Sequence, residues 1–374
     1  MTQPAPGPGV LDALSLLTEV ADELVVRSVR DTHDAWADRF GGYPGRRITS
    51  AVYGGASLGL RAASAGLGRA GGLGPRLDAG ARGRFVRSAV NGLIGDRLAV
   101  ERPDLAITMA VRADGRDVPL DPDGLAAAFP GATGRVVVFL HGLCENESYW
   151  ERWRERTGTT YAEMLAGEGW TPVLLRANTG LGLRENGAAL SALMQRLVEA
   201  WPVEVERVAL VGHSMGGLIL RAAGAVASDV EAPWTDRVSD VVTLGTPHLG
   251  APIARGIGHG SRGLSRLPET AAFGRILDWR SVGVHDLVAG LAEDVPPLPH
   301  ARYRLVAATL TTQERHPVGH VVGDLLVRPP SAYGRDRHGQ ELFPDATVLH
   351  LGRTDHFGLL NHPDVHEALR GWLA

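Results

Sequence analysis

From about residue 105 onward, short apolar runs alternate with segments whose apolar residues recur every three to four positions. The runs are Val136–Leu140, Pro172–Arg176, Val208–Val211, Val238–Leu244, Arg304–Ala308 and Val348–Leu351. Such short continuous stretches are what strands covered on both faces require. Helical patterns separate most of them, at Tyr161–Glu168, Gly187–Trp201 and Leu218–Ala227. A last helix is predicted from Pro363, with Val365, Ala368, Leu369 and Trp372 along one face. Ahead of the first run, Ala106–Val111 and Asp117–Leu120 flank Asp114-Gly115 and predict a hairpin. The alternation predicts an α/β fold built on a doubly wound, mostly parallel sheet.

Residues 1–104 read differently, as an N-terminal helical region. Val10–Phe40 places Leu11, Leu14, Leu17, Val20 and Leu24 at helical spacing and stops at Gly41-Gly42. Ala51–Gly74 is rich in small residues, and Phe85–Leu98 is a third amphipathic candidate. Between Arg61 and Arg87 stand six arginines and one aspartate. The plain reading of that strip is a solvated helix face; the sharper one is peripheral contact with an anionic membrane surface. The predicted organisation is therefore residues 1–104 as a cap or surface-association segment and 105–374 as the catalytic domain. Within the latter, 251–300 has weak periodicity and is the candidate lid or insertion.

Composition narrows the chemistry. A hydrophobic content of 44% supports a substantial core, and a net charge of −4 gives no case for nucleic-acid binding. All 38 basic residues are arginine. Without lysine there can be no Schiff-base lysine, Ser–Lys dyad or P-loop lysine. The single cysteine, Cys144, excludes an internal disulfide. No basic, apolar leader opens the chain, and Arg61 and Arg69 interrupt its most membrane-like stretch, so a cytoplasmic location without a transmembrane span is expected. The oligomeric state has no sequence signature here.

The strongest chemical signal is Gly212-His213-Ser214-Met215-Gly216, between the apolar run ending at Val211 and the helical pattern from Leu218. Glycines two residues either side of a serine permit a tight strand-to-helix turn that presents the hydroxyl. The helix N-terminus adds a positive end for developing negative charge. A nucleophilic serine needs a base, an acid to orient that base, and oxyanion donors. Of the 14 histidines, His356 lies between the last strand and the last helix, on a loop at the C-terminal edge of the sheet. His213 is read as packing beside the elbow, and His141 and His248 as bonding the local backbone. His362 and His366 share a helical spacing without a third metal ligand, so no metal site is expected.

Asp324 lies between Ser214 and His356 in chain order, after the strand ending near Leu310, and is the candidate orienting acid. Asp294 is its competitor, and Asp355 adjoins His356 too closely to reach its ring. The oxyanion donors expected are the backbone N–H groups of Met215 and of Leu143 in His141-Gly142-Leu143, with Cys144 as the alternative to Leu143. Cys144 itself reads as a small buried thiol.

These motifs, with Gly245-Thr246-Pro247-His248-Leu249-Gly250, Gly323-Asp324-Leu325-Leu326-Val327 and Asp355-His356-Phe357-Gly358-Leu359-Leu360, resemble the α/β-hydrolase superfamily. Within it they are similar to the bacterial lipase/esterase and GPI inositol-deacylase-like branch, over roughly residues 130–374. The resemblance implies the α/β-hydrolase fold and Ser–His–Asp ester hydrolysis on a small-molecule or lipid ester, without a cofactor. Thioesterase, polyester hydrolase, acyltransferase or peptidase activity on the same scaffold, and a non-catalytic binding protein, are the alternatives.

Overall fold

The computed structural model describes residues 80–251, 281–291, 295–313, 323–336 and 338–374, together with Ser15, Leu58, Ala62 and Gly66. The predicted helices Val10–Phe40 and Ala51–Gly74, most of the 251–300 segment, and Asp294 lie outside the described residues. The chain divides into two compact units. One is Met1–Val90 with Arg97–Ala106; the other is Asn91–Asp96 with Ile107–Ala374.

The second unit is organised by eight strands: β1 Ala110–Ala113, β2 Arg116–Asp117, β3 Arg135–Leu140, β4 Thr171–Arg176, β5 Arg207–His213, β6 Val238–Leu244, β7 Arg302–Thr309 and β8 Thr347–Gly352. Their order across the sheet is β2-β1-β4-β3-β5-β6-β7-β8. From β4 to β8 all pairings are parallel, and β1 joins β4 and β2 antiparallel. This is the predicted doubly wound sheet. Each strand inferred from an apolar run is present: Val238–Leu244 has the expected bounds, and the other five are lengthened by one to three residues.

Strand periodicity sorts the core into two layers. Val136, Val138, Leu140, Val208, Leu210, Val241 and Leu305 face one cluster, with helices Leu183–Ala200 and Met215–Gly224. Val137, Phe139, Ala209, Val211, Val242 and Val306 face the other, with helices Tyr161–Gly167 and Pro363–Leu373. Helices therefore cover both faces, which explains why Val136–Leu140 and Val208–Val211 are apolar at every position. β3 is flanked by β4 on one side and β5 on the other, so the chain reverses its direction of winding there. In open α/β sheets a crevice forms at the C-terminal ends of strands at such a reversal.

Other boundaries differ from expectation too, including the helix expected at Leu218–Ala227, which runs Met215–Gly224. The hairpin is tighter than Ala106–Val111 with Asp117–Leu120: Ala113 pairs with Arg116 across Asp114 and Gly115. Both turn residues have positive φ, 50° and 72°, as a two-residue hairpin turn demands. The helix expected at Gly187–Trp201 begins four residues earlier, at Leu183. Its N-terminal donor at Leu183 is satisfied by the Asp286 carboxylate at 2.8 Å, a long-range partner that sequence periodicity does not register.

The helix Ala81–Glu101 has non-helical backbone at Ile94 (φ −140°). Around that break, Gly92 O accepts from Ser281 Oγ at 3.2 Å and Gly95 O from Asn178 Nδ2 at 3.0 Å. Asn91 Oδ1 accepts the Ile107 N–H at 2.7 Å. Ser281 and Asn178 thus take up the carbonyls of Gly92 and Gly95. No described helix is long and apolar enough to cross a membrane.

Candidate active site

β3 and β5 are neighbours in register, with Leu140 opposite Gly212, so the loops leaving their C-terminal ends emerge side by side. Ser214 follows β5 at the sharp turn into the helix Met215–Gly224. Its φ of 53° and ψ of −123° put a non-glycine residue in the left-handed half of conformational space, a strained state. The turn also needs absent side chains on both flanks, since a Cβ on Gly212 would meet Gly217 N at 2.6 Å. A Cβ on Gly216 would sit 2.3 Å from Leu140 O and 2.6 Å from His141 O, so only glycine lets the elbow lie against β3.

His356 stands just beyond β8, and Asp324 in the loop after β7. The two meet: His356 Nδ1 lies 2.8 Å from Asp324 Oδ2, and His356 N–H donates to Asp324 O at 3.0 Å. Asp324 Oδ1 accepts the N–H groups of Leu326 and Val327 at 3.0 and 2.8 Å, so the carboxylate is fixed on both oxygens. Both side chains are buried. With Nδ1–H donating to the carboxylate, Nε2 is left as the basic nitrogen. Among the described residues Nε2 is buried and has no hydrogen-bond partner. Burial pushes the pKa of His356 down, but the charge and hydrogen bond of Asp324, with Glu145 and Asp355, outweigh it and raise it above the ordinary value. The imidazole lies against the end of β6: a Cβ on Gly245 would meet its Cε1 at 3.0 Å, and Leu244 O accepts the Ser214 N–H at 2.8 Å. Asp355 instead accepts the Gly358 N–H at 2.7 Å.

The loop after β3 has three successive N–H groups whose uses differ. Gly142 N–H donates to Glu145 Oε2 at 2.7 Å, and Cys144 N–H to Thr179 Oγ1 at 3.1 Å. Leu143 N–H, between them, has no backbone partner among the described residues. Met215 is the first residue of its helix, where no intrahelical acceptor exists for the N–H. Gly142 lies directly against the serine, since a Cβ there would be 2.8 Å from Ser214 Cβ. The Cys144 thiol is pushed up to about 12 by burial and the charge of Glu145, so it stays protonated.

Other histidines make structural contacts, although His248 Nδ1 and both ring nitrogens of His366 are buried without a hydrogen-bond partner among the described residues. His141 Nδ1 faces Gly142 O at 2.9 Å and its Nε2 accepts the Ala177 N–H at 3.1 Å; burial lowers its pKa. His248 contacts Thr243 Oγ1 at 3.3 Å, a side chain rather than the expected backbone, and burial holds its pKa to about 3. His213 does more than pack. Its Nδ1 lies 3.0 Å from Glu145 Oε2 and its Nε2 3.2 Å from His356 O. Glu145 was not singled out from the sequence, because a carboxylate 68 positions from its partner carries no periodic signal. Among the described residues no group of His, Cys, Asp and Glu could hold a metal ion.

A family model described as a PGAP1-like alpha/beta domain matches residues 175–261, which include Ser214 and Met215 but neither Asp324 nor His356. A triacylglycerol lipase of Burkholderia plantarii is 28% identical over 160 residues, and the match spans 40% of this chain and 40% of that relative. Among solved structures, a Bacillus licheniformis lipase in mature form overlaps 71% of this chain and 97% of its own, at 21% identity and a TM-score of 0.47. A Pyrococcus furiosus esterase overlaps 65% of this chain and 84% of its own, at 18% identity and a TM-score of 0.41. The sheet order is that of an α/β-hydrolase fold, and the family match and the partial lipase relative support the superfamily that the motifs resemble.

Proposed function

We propose that this α/β-hydrolase is a serine carboxylic-ester hydrolase with Ser214 as nucleophile, His356 as general base and Asp324 as the acid that orients it. One observation carries the reading. A buried imidazole has its Nδ1 committed to a fixed carboxylate and its Nε2 without a partner, and it lies against the same end of β6 that holds the strained turn of Ser214. Among the described residues, buried ring nitrogens without a partner also occur at His248 and His366, but neither of those rings is anchored by a carboxylate.

The reaction follows from those protons. Nε2 of His356 accepts the proton of Ser214 Oγ as that oxygen attacks the acyl carbonyl, and the imidazolium formed is stabilised by Asp324. The carbonyl oxygen, now negative, is received by the N–H groups of Leu143 and Met215. Such a donor is worth about 3–4 kcal/mol in sites of this kind. His356 then returns the proton to the leaving alcohol. Water, deprotonated by the same nitrogen, attacks the acyl-enzyme and releases the acid, restoring Ser214. The lipase relative favours an ester among the acyl substrates this machinery can cleave, and no step calls for a cofactor.

Purified Ser214→Ala is expected to lose essentially all hydrolysis of a p-nitrophenyl ester while keeping its fold by circular dichroism. A variant that retains the wild-type rate would remove Ser214 from the mechanism.

A further inference from the structure

Glu145 and His213 make a second buried carboxylate–histidine pair, whose connections run through the proposed site without entering it. A single oxygen, Glu145 Oε2, faces both the Gly142 N–H at 2.7 Å and His213 Nδ1 at 3.0 Å. The far nitrogen of the same ring, Nε2, faces the main-chain carbonyl of His356 at 3.2 Å. Three loops are joined by these three contacts: the turn after β3 that carries Leu143, the elbow that carries Ser214, and the loop that carries His356. Glu145 is 3% exposed and His213 fully buried, so solvent cannot substitute for either partner. The rings of His213 and His356 lie 4.8 Å apart between centroids.

Resting on the esterase reading above, we propose that Glu145 and His213 act as one positioning unit, holding the Gly142–Leu143 turn in register with the elbow and the base loop. The proton count makes the unit particular. A carbonyl can only accept, so His213 Nε2 must carry a hydrogen to bond His356 O. Glu145 Oε2 already accepts from Gly142, and it completes the set by accepting from a protonated Nδ1. One proton shared between Nδ1 and Oε2 then completes all three contacts. A glutamine of the same shape cannot reproduce it. With its amide oxygen at the Oε2 position, a neutral His213 has one hydrogen for two acceptors. With its amide nitrogen there, the Gly142 N–H loses its acceptor. By occupying the Gly142 N–H, the pair also leaves Leu143 as the neighbouring donor free to turn inward.

The test is steady-state hydrolysis of a p-nitrophenyl ester by the full chain, as wild type, Glu145→Gln, His213→Phe and the double variant. Misplacing catalytic groups by an ångström costs on the order of 100-fold, so Glu145→Gln should lower kcat by about 10- to 100-fold with KM within about threefold. The double variant should be no slower than the slower single one, since members of one unit do not add. A Gln variant with wild-type kcat, a loss carried by KM, or losses that multiply would each overturn the proposal. If a variant does not fold, amide exchange in the wild type decides: slow exchange at Gly142 N–H is expected, and exchange as fast as an open turn overturns it. A wild type that neither hydrolyses esters nor reacts with a fluorophosphonate fails the esterase reading itself. An active wild type with an equally active Gln variant fails only the pair.

Discussion

The molecule holds two buried histidine–carboxylate pairs side by side, and their near ends are alike. His356 Nδ1 lies 2.8 Å from Asp324 and His213 Nδ1 lies 3.0 Å from Glu145. Their far ends separate them. His356 Nε2 has no partner among the described residues, whereas His213 Nε2 faces a carbonyl. The carboxylates differ too. Asp324 spends its second oxygen on two N–H groups of its own loop, while Glu145 spends a single oxygen on two different loops. A histidine becomes a base when one nitrogen is anchored and the other left open. With both nitrogens bonded, the same pair becomes a brace. An open nitrogen alone is not sufficient either, since His248 and His366 have them too among the described residues; the combination of a carboxylate on one nitrogen and no partner on the other sets His356 apart.

Breaking the first pair should have the larger effect. Asp324→Asn keeps the shape of the side chain but upsets the proton arrangement at Nδ1, and kcat is expected to fall by about 10⁴-fold. The same substitution sharpens the comparison through pH. Asp324 is the strongest influence raising the His356 pKa against the lowering effect of burial. In the wild type, kcat/KM should therefore drop on acidification with a midpoint above the ordinary histidine value, because only neutral His356 accepts the serine proton. In Asp324→Asn the residual activity should persist to lower pH. A midpoint that stays put would detach Asp324 from the base. Damage to the second pair should rank next, at the 10- to 100-fold expected for Glu145→Gln. Asp355→Asn should change kcat by less than about threefold, because this carboxylate adjoins His356 in sequence but bonds the Gly358 N–H instead. A loss comparable to that of Asp324→Asn would reassign the acid.

What the sequence made legible follows from where the physics is local. Strands such as Val136–Leu140 and Val208–Val211 are apolar on both faces because helices cover both, so short continuous runs announce them. The elbow is legible because its two glycines and serine lie within five residues, and the first turn of a helix follows at once. Asp324 and His356 could be placed on loops at the ends of successive strands, although their 2.8 Å approach is a tertiary fact. Glu145 stayed hidden. Nothing at position 145 distinguishes it from Glu147 or Glu151 until the fold brings it under His213. The early start of the helix at Leu183 was missed for the same reason, since its acceptor, Asp286, comes from 103 residues away.

The central claim is that His356, open at Nε2, activates Ser214. Its most direct test is mass-spectrometric mapping of the adduct left by a fluorophosphonate, which reacts with activated serines, on wild type and on His356→Ala. The account predicts one adduct per chain in the wild type, on Ser214, and labelling slowed by at least about 100-fold without the imidazole. Adduct formation elsewhere, or undiminished labelling of Ser214 in the His356 variant, would contradict it.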